Sequence, residues 1–175
     1  SKKSGMHRCR EEELQLVKSV LVSCMRNEGP FLLEWIAYHR SIGFDNVMIV
    51  TNDCTDGSDQ MLDRLDELGF VTHLRNSIPA GEAPQVSGMR LAMAHPLVKA
   101  ADWVLHIDAD EFLNVRVGSR KVQNLLVPNE FSELIAVMWR AFGNSGKFYW
   151  QGGSVLASFL QTQRRPRQSN AGHKS

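Results

Sequence analysis

Short runs of nearly unbroken apolar residues, each ended by a polar turn and followed by an amphipathic stretch, constrain this chain most. LQLVKSVLVSCM (14–25), NVMIVT (46–51) and WVLHI (103–107) read as strands with apolar residues on both faces. Such strands need cover on both sides, which indicates a largely parallel sheet between helices. The intervening segments supply the helices. After the first run, Asn27 can cap a helix and Pro30 suits its first turn. Phe31, Trp35, Tyr38 and Ile42 then recur at helical spacing, with Leu32, Ile36 and His39 beside them, until Gly43 stops the helix. Met61, Leu62, Leu65 and Leu68 mark one face of a second helix that ends at Gly69. Phe70 to Leu74 reads as a third strand, Arg75 to Ala83 as a loop, and Gln85 to Lys99 as a third helix. Trp103 to Ile107 reads as a buried strand, Ser119 to Leu126 as a short helix, and Leu134 to Trp139 as another strand.

In open α/β sheets, ligands bind outside the carboxyl ends of the strands. That rule selects four polar groups: Arg26 to Glu28, Asn52 to Asp56, Asp108 to Glu111, and Arg140 onward. The third group is the most demanding, because a core strand delivers Asp108, Asp110 and Glu111 within four positions. Like charges about 4 Å apart repel by roughly 4 kcal/mol at an effective dielectric of 20. An Asp-x-Asp at a strand end offers hard oxygen ligands for Mg²⁺ or Mn²⁺, and a divalent ion would cancel that repulsion. The plain alternative is an exposed loop with solvated carboxylates. Asp53 and Asp56 in NDCTDG are either ligand-facing or simply turn formers. Arg26 suits a phosphate and Glu28 a ribose or base, or the pair serves the helix N-terminus. His106, inside a strand, reads as a core or supporting group. WRAFGNSG (139–146) reads as a flexible lid over sugar or phosphate, or as a surface turn.

The chain has 43% hydrophobic and 22% charged residues and a formal net charge of +1. That balance gives no reason to expect nucleic acid or a membrane surface as the main partner. No apolar run approaches the ~20 residues of a membrane span, and SKKSGMHRCREEE lacks the apolar stretch of a signal peptide. Cys9, Cys24 and Cys54 are odd in number and far apart, which fits reduced thiols in a cytoplasmic protein. The organisation read from composition is a polar extension over 1–13 and one globular domain over 14–150. Residues 151–175 are then a polar, basic tail, with Arg164, Arg165 and Arg167 in it, or the start of a region that belongs to a larger domain.

RNEGPFLLEWIAYHRSIGFDNV, NDCTDGS, WVLHIDADEFLNV and MWRAFGNSG occur in that order. Together they resemble the family 2-like glycosyltransferases with a GT-A fold. The narrower likeness is to the subgroup with RNEG…LLEW…YH, NDxTDG, DADEF and WRxFGxSG motifs, over most of residues 17 to 146. The resemblance implies a metal-dependent transferase moving a sugar from a nucleotide-diphosphate donor, UDP- or GDP-linked, to a hydroxyl of a glycan, lipid or other acceptor. Asp110 would be the principal ligand of Mn²⁺ or Mg²⁺. Asp108 would reach the metal through water, or the donor ribose, and Glu111 would shape the site. Asp53 matches the acid that reads base or ribose. Arg26, Asn27 and Glu28 match the turn flanking the nucleoside, with Asp56 in the neighbouring turn, and Gln85 matches a Gln near the donor. Trp139, Arg140 and Phe142 match the segment near sugar and acceptor.

No catalytic base is assigned. After Glu111 the only acids are Glu130 and Glu133, in no matching motif. The family domain ordinarily continues further, so the sheet domain is expected to be truncated at its C-terminus. A late metal-binding His is then absent, unless His173 is its remnant. A phosphohydrolase would place its acid pair after the first strand, some ninety residues earlier. A nucleotidyltransferase would want a Gly-rich basic loop where RNEGP stands. A non-catalytic sugar-nucleotide-binding module, or a degenerate transferase, is the alternative from outside catalysis.

Overall fold

The computed structural model describes residues 17–149 and 152–162. Residues 14–16 of the expected first strand, Cys9, the arginines from Arg164 onward and His173 lie outside them. Two compact units divide the chain, the first ending at Glu133 and the second beginning at Leu134.

The first unit is built on four strands: β1 (Ser19–Met25), β2 (Asn46–Thr51), β3 (Thr72–Arg75) and β4 (Trp103–His106). They lie in the order β3-β2-β1-β4 and every pairing is parallel. The helices are α1 (Gly29–Ser41), α2 (Ser58–Glu67), α3 (Pro84–Ala94), α4 (Pro96–Lys99) and α5 (Gln123–Leu126), with a 3₁₀ turn at Val127–Asn129. Parallel strands require crossovers, and the amphipathic stretches provide them.

Alternation along the strands sends side chains to both faces. Val20, Val22, Met48 and Val50 pack with Ala92 of α3 and Val98 of α4, and Cys24 and Leu74 lie against that cluster. The intervening residues Leu21, Val47 and Ile49 are equally buried and point to the opposite face. On that face α2 joins the sheet through His73, whose ring bonds Thr51 Oγ1 at 2.7 Å and Asp63 Oδ1 at 2.7 Å. Leu32, Trp35 and Ile36 of α1 and Leu62 of α2 are buried as well. This is the α/β architecture expected from the apolar runs, a parallel sheet flanked by helices.

Several boundaries differ from the sequence reading. The helix expected over 85–99 breaks at His95, whose backbone is extended (φ −72°, ψ 140°) because Pro96 follows it. Of the four apolar residues read on α2, Leu62 alone is fully buried, while Met61 and Leu68 are exposed. The third strand starts two residues later than Phe70, which is exposed and sits under the Arg40 guanidinium at 5.7 Å. The strand carrying the acidic cluster is half-buried and pairs only with β1 among the described residues. The helix read from Ser119 starts at Gln123.

In the second unit the segment 134–139 forms no strand, and Leu134, Met138 and Trp139 are largely exposed. A β-prone run without a pairing partner does not become a strand. This unit contains α6 (Val155–Ser158) and an isolated antiparallel bridge between Phe142 and Thr162.

Candidate functional site

The chain crosses from β1 to β2 to β3 in one direction, then returns past β1 to add β4 on the other side. The strand order therefore reverses between β1 and β4. A doubly wound sheet opens its ligand crevice at such a reversal, beyond the carboxyl ends of the two strands. Arg26, Asn27 and Glu28 follow β1, and Asp108, Asp110 and Glu111 follow β4.

The acidic segment is a tight turn. The Glu111 amide donates to Asp108 O at 3.1 Å, and the Asp108 amide donates back to Glu111 Oε2 at 3.1 Å. Glu111 thus spends its carboxylate inside the turn. Asp108 and Asp110 remain exposed. Gln85 Nε2, at the start of α3, approaches Asp108 Oδ1 at 3.5 Å. Among the described residues, no hydrogen bond or ion pair engages the Asp110 carboxylate, and no cationic side chain pairs with Glu28, Asp56 or Asp108. Burial, then the charges of Asp110 and Asp56, raise the Glu28 carboxyl above its ordinary pKa. The Cys24 thiol is raised by burial and by Asp108. These effects show the β1 and β4 ends sharing one negative field.

The turns after β1 and β2 are stapled together. Arg26 Nε donates to Asp53 O (3.3 Å), the Thr55 amide to Asn27 Oδ1 (2.7 Å), Asn27 Nδ2 to Thr55 Oγ1 (3.2 Å), and the Gly29 amide to Asp56 Oδ2 (3.0 Å). Asn27 holds a left-handed backbone (φ 59°) and does not cap α1; Glu28 occupies the cap position. Asp56 also accepts from the Ser58 amide at 3.0 Å, and bonding from Ser58 holds its carboxyl below the ordinary range. The side chains of Asn27 and Asp56 are therefore committed to the staple. Asp53, itself left-handed (φ 47°), is exposed, and its Oδ2 accepts from Asn52 Nδ2 at 3.1 Å.

Trp139, Arg140 and Phe142 belong to the second unit. There Arg140 Nη2 donates to Thr162 Oγ1 at 2.7 Å, and the Gly143 amide donates to Gln161 O at 2.8 Å. Trp139 and Phe142 are exposed. His106 is half-buried, and its Nε2 is buried without a hydrogen-bond partner among the described residues.

One set of residues escaped the sequence reading. Trp35, Tyr38 and His39 were legible as the apolar stripe of α1, yet each aims a polar atom at the backbone after the acidic turn. Trp35 Nε1 donates to Glu111 O at 2.9 Å and Tyr38 OH donates to Leu113 O at 2.9 Å. The Leu113 amide donates to His39 Nε2 at 3.3 Å. The available signal is that three aromatic residues with polar atoms share one buried stripe at i, i+3 and i+4, and such atoms need partners.

The described residues contain no cluster of three or more His, Cys, Asp or Glu side chains placed to hold a metal ion. Asp108 and Asp110 are instead two exposed carboxylates with no cationic partner among the described residues, a donor set that would suit an ion completing its shell with water and ligand phosphates, the usual habit of Mg²⁺. The residues fit such a shared ion and do not form a cage. No helix of the described residues is long and apolar enough to cross a membrane.

No family model matches the chain. Sequence relatives are found among plant glycosyltransferase family 92 proteins. One from Oryza sativa subsp. japonica is 31% identical over 70% of this chain and 21% of its own length. One from Ricinus communis is 31% identical over 56% of this chain and 17% of its own length. One from Arabidopsis thaliana is 28% identical over 59% and 18%. The chain thus spans about a fifth of the length of the curated relatives it matches. Among solved structures, S. aureus TarS superposes with a TM-score of 0.41 and 16% identity, over 54% of this chain and 17% of that one.

Proposed function

We propose that this chain carries the donor-binding part of a glycosyltransferase, which transfers a sugar from a nucleotide diphosphate to an acceptor hydroxyl. The observation that carries the reading is the set of carboxylates without cationic partners, Glu28, Asp108 and Asp110, after the two strands that flank the reversal point of a parallel sheet. The glycosyltransferase relatives supply the reaction class. Their family 92 name and the family 2-like motifs of this chain share that class, and the DADEF and WRxFGxSG motifs support the finer likeness.

In this reading Asp110 and Asp108 hold Mn²⁺ or Mg²⁺. When bound, the ion neutralises charge developing on the departing diphosphate. Asp53 and Glu28 offer acceptor oxygens to ribose and base of a UDP- or GDP-linked donor. Arg26, held by Asp53 O, faces the same edge, and Gln85 orients Asp108. The acceptor hydroxyl oxygen bonds to the anomeric carbon as the sugar–phosphate bond breaks; that electron pair leaves with the phosphate, and the hydroxyl proton passes to the departing phosphate or to water. Trp139, Arg140 and Phe142 supply exposed aromatic and cationic groups suited to sugar and to a glycan or lipid acceptor. The unpaired Cys24 and Cys54 support a cytoplasmic setting.

A thermal-shift screen of UDP-, GDP-, CMP- and dTDP-sugars with and without Mn²⁺ tests the proposal. Stabilisation by one nucleotide class, dependent on metal and lost in Asp110→Ala, is expected. An unchanged shift in Asp110→Ala contradicts the metal assignment. Tight binding with no transfer or donor hydrolysis in Mn²⁺ favours a sugar-nucleotide-binding module.

A further inference from the structure

We propose that Trp35, Tyr38 and His39 are positioning residues, a clamp from one face of α1 that fixes the acidic turn so that Asp108 and Asp110 stay presented at the crevice. The inference rests on the reading of that crevice as the donor and metal site. Residues 111–117 form no helix or strand, so their backbone groups lack the partners that regular structure provides. Three bonds from α1 supply them: Trp35 to Glu111 O, Tyr38 to Leu113 O, and His39 from the Leu113 amide.

Glu111 is the pivot. Its carbonyl is held by Trp35, its amide closes the turn on Asp108 O, and its carboxylate receives the Asp108 amide. A shift of Glu111 therefore moves Asp108 through two bonds. Ring packing locks the same segment from the side. Phe112 stacks on His39 (centroids 5.8 Å apart, 14° between planes) and meets Tyr38 edge-on at 5.3 Å. The tautomer of His39 is set as well. Nε2 accepts from Leu113, so Nδ1 carries the proton and donates to Trp35 O at 2.9 Å. An apolar helix face would need only Phe and Leu here. Polar atoms at i, i+3 and i+4, each bonded to one irregular segment of backbone, point to alignment as well as burial.

Tyr38→Phe keeps both ring contacts and deletes only the hydroxyl, and Trp35→Phe deletes the indole N–H. Two measurements are made on each full-length variant: amide hydrogen exchange by NMR, and Mn²⁺ affinity from the free-ion EPR signal. In Tyr38→Phe, exchange across Glu111 to Leu113 should quicken about fivefold, the loss of one hydrogen bond, with β1 and β2 amides unchanged. Mn²⁺ affinity should fall by a similar factor, and by more in Trp35→Phe, whose bond lies nearer the turn. Exchange unchanged at 111–113, or faster exchange with unaltered Mn²⁺ affinity, overturns the clamp. Should Trp35→Phe fail to fold, Tyr38→Phe decides alone. Should the unmodified chain bind no Mn²⁺, the metal reading falls and exchange alone judges the clamp: quickening confined to 108–113 upholds it, and a uniform or absent change overturns it.

Discussion

His39 shows how much of this site depends on single atoms. Its ring is fully buried, and burial lowers its pKa from 6.5 to about 4, although the bond to Trp35 O opposes that shift. Above pH 6.5 the ring is neutral in folded and unfolded chains alike, and its contribution to stability is complete. Between pH 6.5 and about 4 the unfolded chain takes up the proton first, so stability falls with pH, by up to roughly 3 kcal/mol when the window has been crossed. Nitrogen-15 spectra should show the Nδ1–H tautomer persisting from pH 7.5 to 5. A midpoint near 6.5 would contradict the burial and the Leu113 bond. Asp108 and Asp110 were legible in the sequence because their chemistry lies in residue type and position after an apolar run. The second job of Trp35, Tyr38 and His39 was not legible. Helical periodicity assigns a face, and cannot say which backbone will lie against it.

Elements meet closely at two glycines, and each junction makes a prediction. Gly88 lets α3 lie on β1: a Cβ there would come within 2.7 Å of Cys24 Sγ and 3.4 Å of Val50 Cγ1. Gly88→Ala should destabilise by about 1–3 kcal/mol, with Cys24→Ala in the same chain restoring most of the loss. Chemical denaturation of the single and double variants measures it, and a neutral Gly88→Ala would deny the close approach. Gly29 stands where the β1 and β2 turns join, its would-be Cβ 2.9 Å from Asp56 Oδ2. Asn27→Ala removes the side chain bonded to Thr55 and should cost about 1–2 kcal/mol. It should also loosen the amides of residues 53–56 in hydrogen exchange, whereas unaltered protection there would show that the staple is idle. Strand and helix types were readable because apolar runs and amphipathic stretches alternate cleanly. Boundaries were less so. Pro96 overrode the helical pattern around His95, and the half-burial of β4 depends on which strands pair with it.

At the scale of the molecule, the strand order β3-β2-β1-β4 places the RNE and DAD turns at the same end of two neighbouring parallel strands. The sequence reading anticipated a common edge for the strand ends. It did not supply the order, because each strand is apolar on both faces and pattern alone names no neighbour. The segment 134–139 was misread as a strand for a related reason: its apolar residues fit a sheet, but no strand pairs with them among the described residues. The central claim is that Asp108 and Asp110 share a divalent ion with a diphosphate. Anomalous scattering from a crystal soaked in Mn²⁺ and a UDP- or GDP-sugar tests it most directly. A manganese peak bonded to the Asp110 carboxylate and to phosphate oxygens is the expected result. A bound nucleotide with no ion at Asp110, or a manganese ion lodged elsewhere, would contradict it.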